Sequence, residues 1–193
     1  TLKDLNDLLQ INGYVVADFD LPQLDDYPRL VLDSLLRNNL IRRELEGYQH
    51  STLQAIVDQE SQLNDGQRAI YDEIIQAAEA PVQGNKLFFI DGPGGTGKST
   101  LLRHILAKVR LSGKIAIAVA SSGIASLLLM GGRTAHSTFK IPLKLNDKST
   151  CAIYKQSRLK MLIERASLVI WDEASMAQRH AFEAVDRALR DIM

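Results

Sequence analysis

Eight consecutive residues, Gly92-Pro93-Gly94-Gly95-Thr96-Gly97-Lys98-Ser99, concentrate the chemistry of this chain. They fit G-x-x-x-x-G-K-[ST], the P-loop pattern, whose glycines let backbone N–H groups turn inward around a phosphate. A helix starting at the end of such a loop adds unpaired donors and partial positive charge. Lys98 would meet the β- and γ-phosphates, and the Ser99 hydroxyl would ligate Mg²⁺. The same residues also satisfy G-x-G-x-x-G, a dinucleotide fingerprint. That reading needs an acidic residue about 20 positions on to hold a ribose hydroxyl. No Asp or Glu occurs between Gly92 and Asn146, and the Lys-Ser ending is surplus to a dinucleotide site.

A second group, Leu168-Val169-Ile170-Trp171-Asp172-Glu173, is an apolar run tipped by two carboxylates. In a parallel α/β sheet it would bring Asp172 to the C-terminal edge, beside the phosphates. Asp172 would then hold Mg²⁺ through Ser99 or water, and Glu173 would orient and deprotonate the attacking water. Paired carboxylates argue for hydrolysis over transfer to a substrate hydroxyl. Asp-Glu before a helix is also a common N-terminal cap, and the upstream P-loop weighs against that reading. Gln67 offers one amide donor and one acceptor, which match the adenine edge. With Asn64 three residues earlier it equally resembles a capping box, and spacing does not separate the two.

Ala120–Ser126 follows an apolar run with small hydroxyl residues, and Ser122 and Gly123 would suit a sugar-phosphate backbone at a helix start. Gly132–Lys140 then mixes cations, hydroxyls, an imidazole and a ring, the set that grips single strands by charge and stacking. Arg133, Thr134, His136 and Phe139 are the candidates there. His136 has an ordinary structural role as its alternative, and Phe139 has core packing.

The elements that must position these groups follow from apolar spacing. Residues 1–28 read as a polar lead-in with Pro22 and Pro28. Helices are expected over Arg29–Glu46, stopped by Gly47, then Thr52–Gln62 and Asn64–Ala80, the last ended before Pro81. Leu87–Ile90, Ile115–Val119 and Leu168–Trp171 read as buried strands. Between and after them come helices Lys98–Leu111, Ser122–Met130, Tyr154–Arg165 and Arg179–Asp191, with Gly113 as a break and residues 133–150 as loop. Strands alternating with helices argue for a parallel sheet.

Composition sets the bounds. The 193 residues are 46% hydrophobic and 24% charged, ordinary for a globular protein. No apolar run reaches membrane-span length, and the start does not look like a signal peptide. The single Cys151 excludes an internal disulfide and fits a small apolar side chain in a reducing compartment. Net charge is zero, yet residues 1–62 carry 5 basic and 11 acidic side chains while residues 63–193 carry 18 and 12. That break divides an acidic, mostly helical leader, 1–62, from a P-loop domain, 63–193. Gly92–Asn146 holds eight basic residues and no acid. One phosphate does not require so many cations, so a polyanion is the expected partner; a solvated face balanced by acids elsewhere is the plainer alternative.

Asp91–Thr100, Val119–Pro142 and Ile170–Met176 resemble motifs I, Ia and II of the petite-integration-frequency (Pif-type) DNA helicases of helicase superfamily one. The wording is similar to the Helitron-like eukaryotic branch, above all Ala118–Leu129 and Gly131–Pro142. The resemblance implies an α/β fold: a RecA-like P-loop NTPase with a parallel sheet and flanking helices, preceded by a small helical segment. It implies an ATP hydrolase that unwinds DNA 5′ to 3′ with Mg²⁺ in replication, repair, recombination and telomere maintenance. Nucleotide-binding residues would be Gln67, Gly92, Pro93, Gly94, Gly95, Thr96, Gly97, Lys98, Ser99 and Thr100. Lys98 and Glu173 would be catalytic, Ser99 and Asp172 would hold the metal, and Ser122, Gly123, Arg133, Thr134, His136 and Phe139 would meet DNA. Partners would be single-stranded DNA and duplex junctions, with no membrane, and the motor would be monomeric and nuclear or mitochondrial. The later helicase motifs are absent, so the resemblance implies a truncated first motor domain. In that architecture a sensor strand lies between the P-loop strand and the carboxylate strand, so an apolar slot is expected in the sheet. Other DNA-associated P-loop ATPases and an inactive mobile-element relic are the alternatives.

Overall fold

The computed structural model describes residues 38–79 and 87–193. The expected lead-in, the start of the helix from Arg29, and Ala80, Pro81 and Lys86 lie outside the described residues. The chain divides into two units, Thr1–Arg42 and Arg43–Met193, and every site residue considered above lies in the second.

Helices α1 (Asn39–Glu46), α2 (His50–Val57) and α3 (Asp65–Glu79) come first, with a 3₁₀ turn at Glu60–Gln62. That turn takes the end of the helix expected over Thr52–Gln62. α3 begins at a full capping box: Asn64 Oδ1 accepts from the Gln67 N–H at 2.9 Å, and Gln67 Oε1 accepts from the Asn64 N–H at 3.1 Å. The P-loop helix α4 (Lys98–Leu111) ends where Gly113 takes a φ of +74°. There the Gly113 and Lys114 N–H groups close back on the Arg110 and Val109 carbonyls at 2.9 and 3.2 Å. The chain then enters β1 (Ile115–Ala120). After it come α5 (Gly123–Leu128), β2 (Arg133–Thr134), α6 (Ala135–Phe139), α7 (Arg158–Arg165), β3 (Ala166–Asp172) and α8 (Arg179–Ile192).

The sheet has three parallel strands in the order β2-β1-β3. β1 is central and wholly buried. Tyr71 and Ile74 of α3, the apolar stripe of α4, Ala116 and Ala118 of β1 and Ile170 of β3 form one core. The small alanines admit α4 closely, and Ile105 and Leu106 are fully buried. Each such side chain contributes roughly 1.5–3 kcal/mol of burial. α2 adds Leu53 and Ile56 against Ala107 of α4. The Tyr71 hydroxyl donates to Glu60, which also faces Arg68 at 3.6 Å and Lys108 at 3.8 Å, and this ties the 3₁₀ turn to α3 and α4.

One expected strand is not a strand. Leu87–Ile90 is extended and alternates as a strand would: Phe88 and Ile90 pack on the core, while Leu87 and Phe89 are 84% and 80% exposed. None of the three described strands pairs with it, and a strand's N–H and C=O groups need a partner strand to form a ladder. β3 lies at the sheet edge with Val169 44% exposed, and no described strand pairs with its outer side. The third strand is instead the short β2, which with α6 occupies the stretch expected to be loop. α7 is also shorter than expected. Ser157 caps it by accepting from the Lys160 N–H at 3.1 Å, and Tyr154 stays outside, exposed.

Candidate nucleotide and nucleic-acid site

α4 has 14 residues and β1 has six, lengths of roughly 21 Å and 20 Å at standard rise. The tight turn between them makes the two antiparallel, so the start of α4 returns to the C-terminal end of β1. There the loop Gly92–Gly97 leads into the helix. Gly95 and Gly97 have φ of +82° and +80°, backbone that a side chain disfavours. A Cβ on Gly94 or Gly95 would meet nothing within 4 Å, so the loop is open on that side. The Thr96 hydroxyl donates to the Pro93 carbonyl at 2.9 Å. The Lys98 ammonium donates to the Gly92 and Pro93 carbonyls, the latter at 3.0 Å, which holds it over the loop. Ser99 and Thr100 are exposed on the first helical turn.

Gln67 reaches this loop. Its Nε2 donates to the Thr96 carbonyl at 2.9 Å, and a Cβ on Gly97 would stand 2.5 Å from that nitrogen. The side chain therefore closes the cap of α3 and braces the loop at the same time. Spacing had offered the capping box and an adenine-reading amide as alternatives; the capping box is formed, and the amide oxygen and nitrogen are engaged by Asn64 and the Thr96 carbonyl.

The register puts three strands' ends in one row. Ala120 of β1 pairs with Thr134 on one side and Asp172 on the other. At the usual strand spacing Thr134 and Asp172 are about 10 Å apart. Asp172 is half-buried, and its Oδ1 accepts from the Glu173 N–H at 2.9 Å. Glu173 is exposed and sits at φ 50°, ψ 41°, left-handed backbone that is uncommon outside glycine. Ser121 follows Ala120, and its N–H donates to the Asp172 carbonyl at 3.2 Å.

The candidate nucleic-acid residues surround the same edge. Ser122 is half-buried and caps α5, accepting from the Ala125 N–H at 3.1 Å, and Gly123 is exposed. Thr134 caps α6, accepting from the Ser137 N–H at 3.2 Å. Arg133 and His136 are half-buried. Phe139 must be removed from the set. It is 1% exposed and packs on Trp171, ring centroids 6.0 Å apart, so it cannot offer a face to a base.

The eight cations of Gly92–Asn146 do not form one track. Arg110 is buried: it donates to the Met130 and Ala116 carbonyls at 2.7 and 2.8 Å, pairs with Glu44 at 3.7 Å and lies over the Tyr48 ring at 4.0 Å. Burial lowers its pKa. Lys108 faces Glu60 and Lys114 donates to the Ala78 carbonyl at 3.3 Å. Arg103, Lys140 and Lys144 are exposed. Cys151 is buried, and burial pushes its thiol up to about 11, the behaviour of a small core side chain. Among the described residues no group of three or more His, Cys, Asp or Glu could hold a metal ion. No helix among them is long and apolar enough to cross a membrane.

Residues 62–193 match the family model described as PIF1-like helicase. The chain belongs to the PIF1-like helicase family. It is 33% identical over 110 residues to the ATP-dependent DNA helicase Pif1 of Campylobacter jejuni, covering 53% of this chain and 24% of that protein. It is 32% identical over 106 residues to the ATP-dependent DNA helicase PIF4 of Trypanosoma brucei, covering 53% and 13%. With the Mus musculus PIF1 helicase identity is 34% over 113 residues, covering 56% and 17%. A solved structure of two coordinating Pif1 helicases unwinding forked double-stranded DNA aligns with a TM-score of 0.54 at 28% identity, over 67% of this chain and 29% of that one. The chain thus spans a quarter or less of the length of these curated relatives. The small parallel sheet with flanking helices fits the P-loop NTPase fold of this PIF1-like neighbour.

Two groups of this PIF1-like chain escaped the sequence reading. One is the Glu44–Tyr48–Arg110 cluster. Arg110 falls three and four residues after Ala107 and Leu106, on the buried stripe of α4, and that spacing was the available signal. The other joins Ser121, Trp171 and Glu173, and its only trace in the sequence is an indole directly before the paired carboxylates.

Proposed function

We propose that the protein carrying this chain is an ATP-dependent DNA helicase that moves 5′ to 3′ on single-stranded DNA and opens duplex junctions. The observation that supports this reading is the row Thr134–Ala120–Asp172 at the C-terminal ends of parallel strands, with the P-loop helix packed in one core with β1 and β3. Membership of the family supports the activity, and the resemblance supports the polarity, the monomeric motor, the work in repair, recombination and telomere maintenance, and the nuclear or mitochondrial setting.

In this reading the loop Gly92–Ser99 takes the phosphates of ATP, with Lys98 turning its ammonium from the Gly92 and Pro93 carbonyls to the phosphate oxygens. Gln67 stands beside the loop for the adenine. Ser99 and Asp172 would hold Mg²⁺ with the phosphates as further ligands, a fit for an ion that takes one or two carboxylates and keeps water; when bound it would neutralise charge on the phosphates. Glu173, exposed at the strand end, orients the attacking water and accepts its proton. Ser122, Gly123, Arg133, Thr134 and His136 offer donors to the backbone of a single strand passing the same edge.

The test is ATP turnover by the protein with and without a single-stranded oligonucleotide, and with Lys98→Ala. Stimulation by the oligonucleotide and loss of turnover in the variant are expected. Turnover indifferent to DNA, or retained in the variant, would refute the reading.

A further inference from the structure

The Ser121 hydroxyl bridges two residues of the carboxylate strand. It accepts from Trp171 Nε1 at 2.9 Å and donates to the Glu173 carbonyl at 2.7 Å. Trp171 is held in turn between Phe182, at 4.4 Å between ring centroids, and Phe139. Glu173 itself is in left-handed backbone, a conformation that persists only where its surroundings over-determine it. Three bonds do so here: its N–H donates to Asp172 Oδ1, and its carbonyl accepts from the Ser121 hydroxyl and from the Met176 N–H at 3.0 Å. Ser121 directly precedes Ser122, which leads to Gly123. With His136, Trp171 and Gln178 it lines a recess of about 160 Å³ that opens beside them.

We propose that Ser121 is a positioning residue that, with Trp171, links the single-strand loop Ser122–Gly123 to the backbone setting of Glu173. A strand engaged on Ser122, Gly123 and His136 moves or stiffens the loop. Ser121 passes that to the Glu173 carbonyl, and the peptide geometry aims the carboxylate at its water. Ser121 touches neither nucleotide nor water in this scheme. The inference rests on the single-strand reading above and adds to it the route by which DNA raises turnover.

The test uses the protein carrying this chain, with Ser121→Ala and Ser121→Thr. ATP turnover is measured at saturating and zero oligonucleotide, oligonucleotide affinity by fluorescence anisotropy, and folding by melting midpoint. Ser121→Ala should lower the oligonucleotide-saturated kcat about fivefold to tenfold, the size of one net hydrogen bond. The KM for ATP and the Kd for the oligonucleotide should each change less than about twofold, since uniform binding is untouched. Ser121→Thr, which keeps the hydroxyl, should restore kcat. Should Ser121→Ala not fold, Trp171→Phe removes the indole donor while keeping an aromatic ring against Phe139 and Phe182, and should lower kcat in the same direction. A wild-type turnover that does not respond to the oligonucleotide refutes the single-strand reading and the link with it. A stimulated wild-type turnover that Ser121→Ala leaves intact, or a loss confined to KM or Kd, refutes the link alone.

Discussion

Replacing Arg110 by Met should destabilise the fold severely. The guanidinium side chain is 1% exposed and its partner Glu44 9%. It donates to two backbone carbonyls, Met130 and Ala116, the second of which belongs to the central strand. It also covers the Tyr48 ring at 4.0 Å. Met keeps most of the aliphatic volume but strands the Glu44 carboxylate, whose remaining donor is the Tyr48 hydroxyl at 3.1 Å. Breaking a buried pair from one side costs about 3–5 kcal/mol, because an uncompensated charge stays behind. With a urea dependence of about 2 kcal/mol per molar, the midpoint should fall by roughly 2 M. Glu44→Leu in the Arg110→Met background should recover most of that loss, since replacing both members of a buried pair is often nearly neutral. Urea unfolding followed by circular dichroism measures all three variants. A cost below about 1 kcal/mol for Arg110→Met, the range of exposed pairs, would refute the reasoning. So would a double variant no more stable than the single one.

Other outcomes follow from the same geometry. Glu173→Gln should keep nucleotide affinity within about threefold while turnover falls about 10²–10⁴-fold, the usual share of a general base; fluorescent-nucleotide binding and phosphate release separate the two. Gly97→Ala should weaken nucleotide binding and cost about 1–3 kcal/mol from its left-handed backbone. Adding Gln67→Ala should relieve the contact at 2.5 Å but not the backbone strain, which unfolding and binding measurements together would show. Burial, aided by Glu44, raises the Tyr48 phenol from 10.0 to about 12. The folded chain therefore holds its proton more tightly, so this stability is full below pH 10 and is lost as pH rises through 12. Tyr48→Phe should be less stable at neutral pH by about 1 kcal/mol for its lost hydrogen bond and should decline less steeply between pH 10 and 12 in denaturation curves. The buried Cys151 thiol, pushed up to about 11, should react with a thiol reagent at pH 8 far more slowly in the folded chain than in urea.

The sequence alone determined what local chemistry could determine. The Gly-rich loop with Lys98 and Ser99, the apolar run ending in Asp172 and Glu173, and the Asn64–Gln67 cap each depend on residues close along the chain. Helices α3, α4 and α8 were legible to within a residue or two, because their caps and stripes are local as well. Tertiary structure decided whatever needed a partner distant in sequence. Leu87–Ile90 has the alternation of a strand but pairs with none of the three described strands, since pairing belongs to two segments and never to one. Phe139 could be read as a stacking ring or as core, and the fold decides for the core: it is buried against Trp171. Arg110 counts as one cation among eight until Glu44 and Tyr48, more than sixty residues earlier, are brought beside it. The row Thr134–Ala120–Asp172 exists only because parallel pairing aligns three strand ends. Burial, pairing and register are properties of the folded chain as a whole, and they alone brought these separate motifs to one edge.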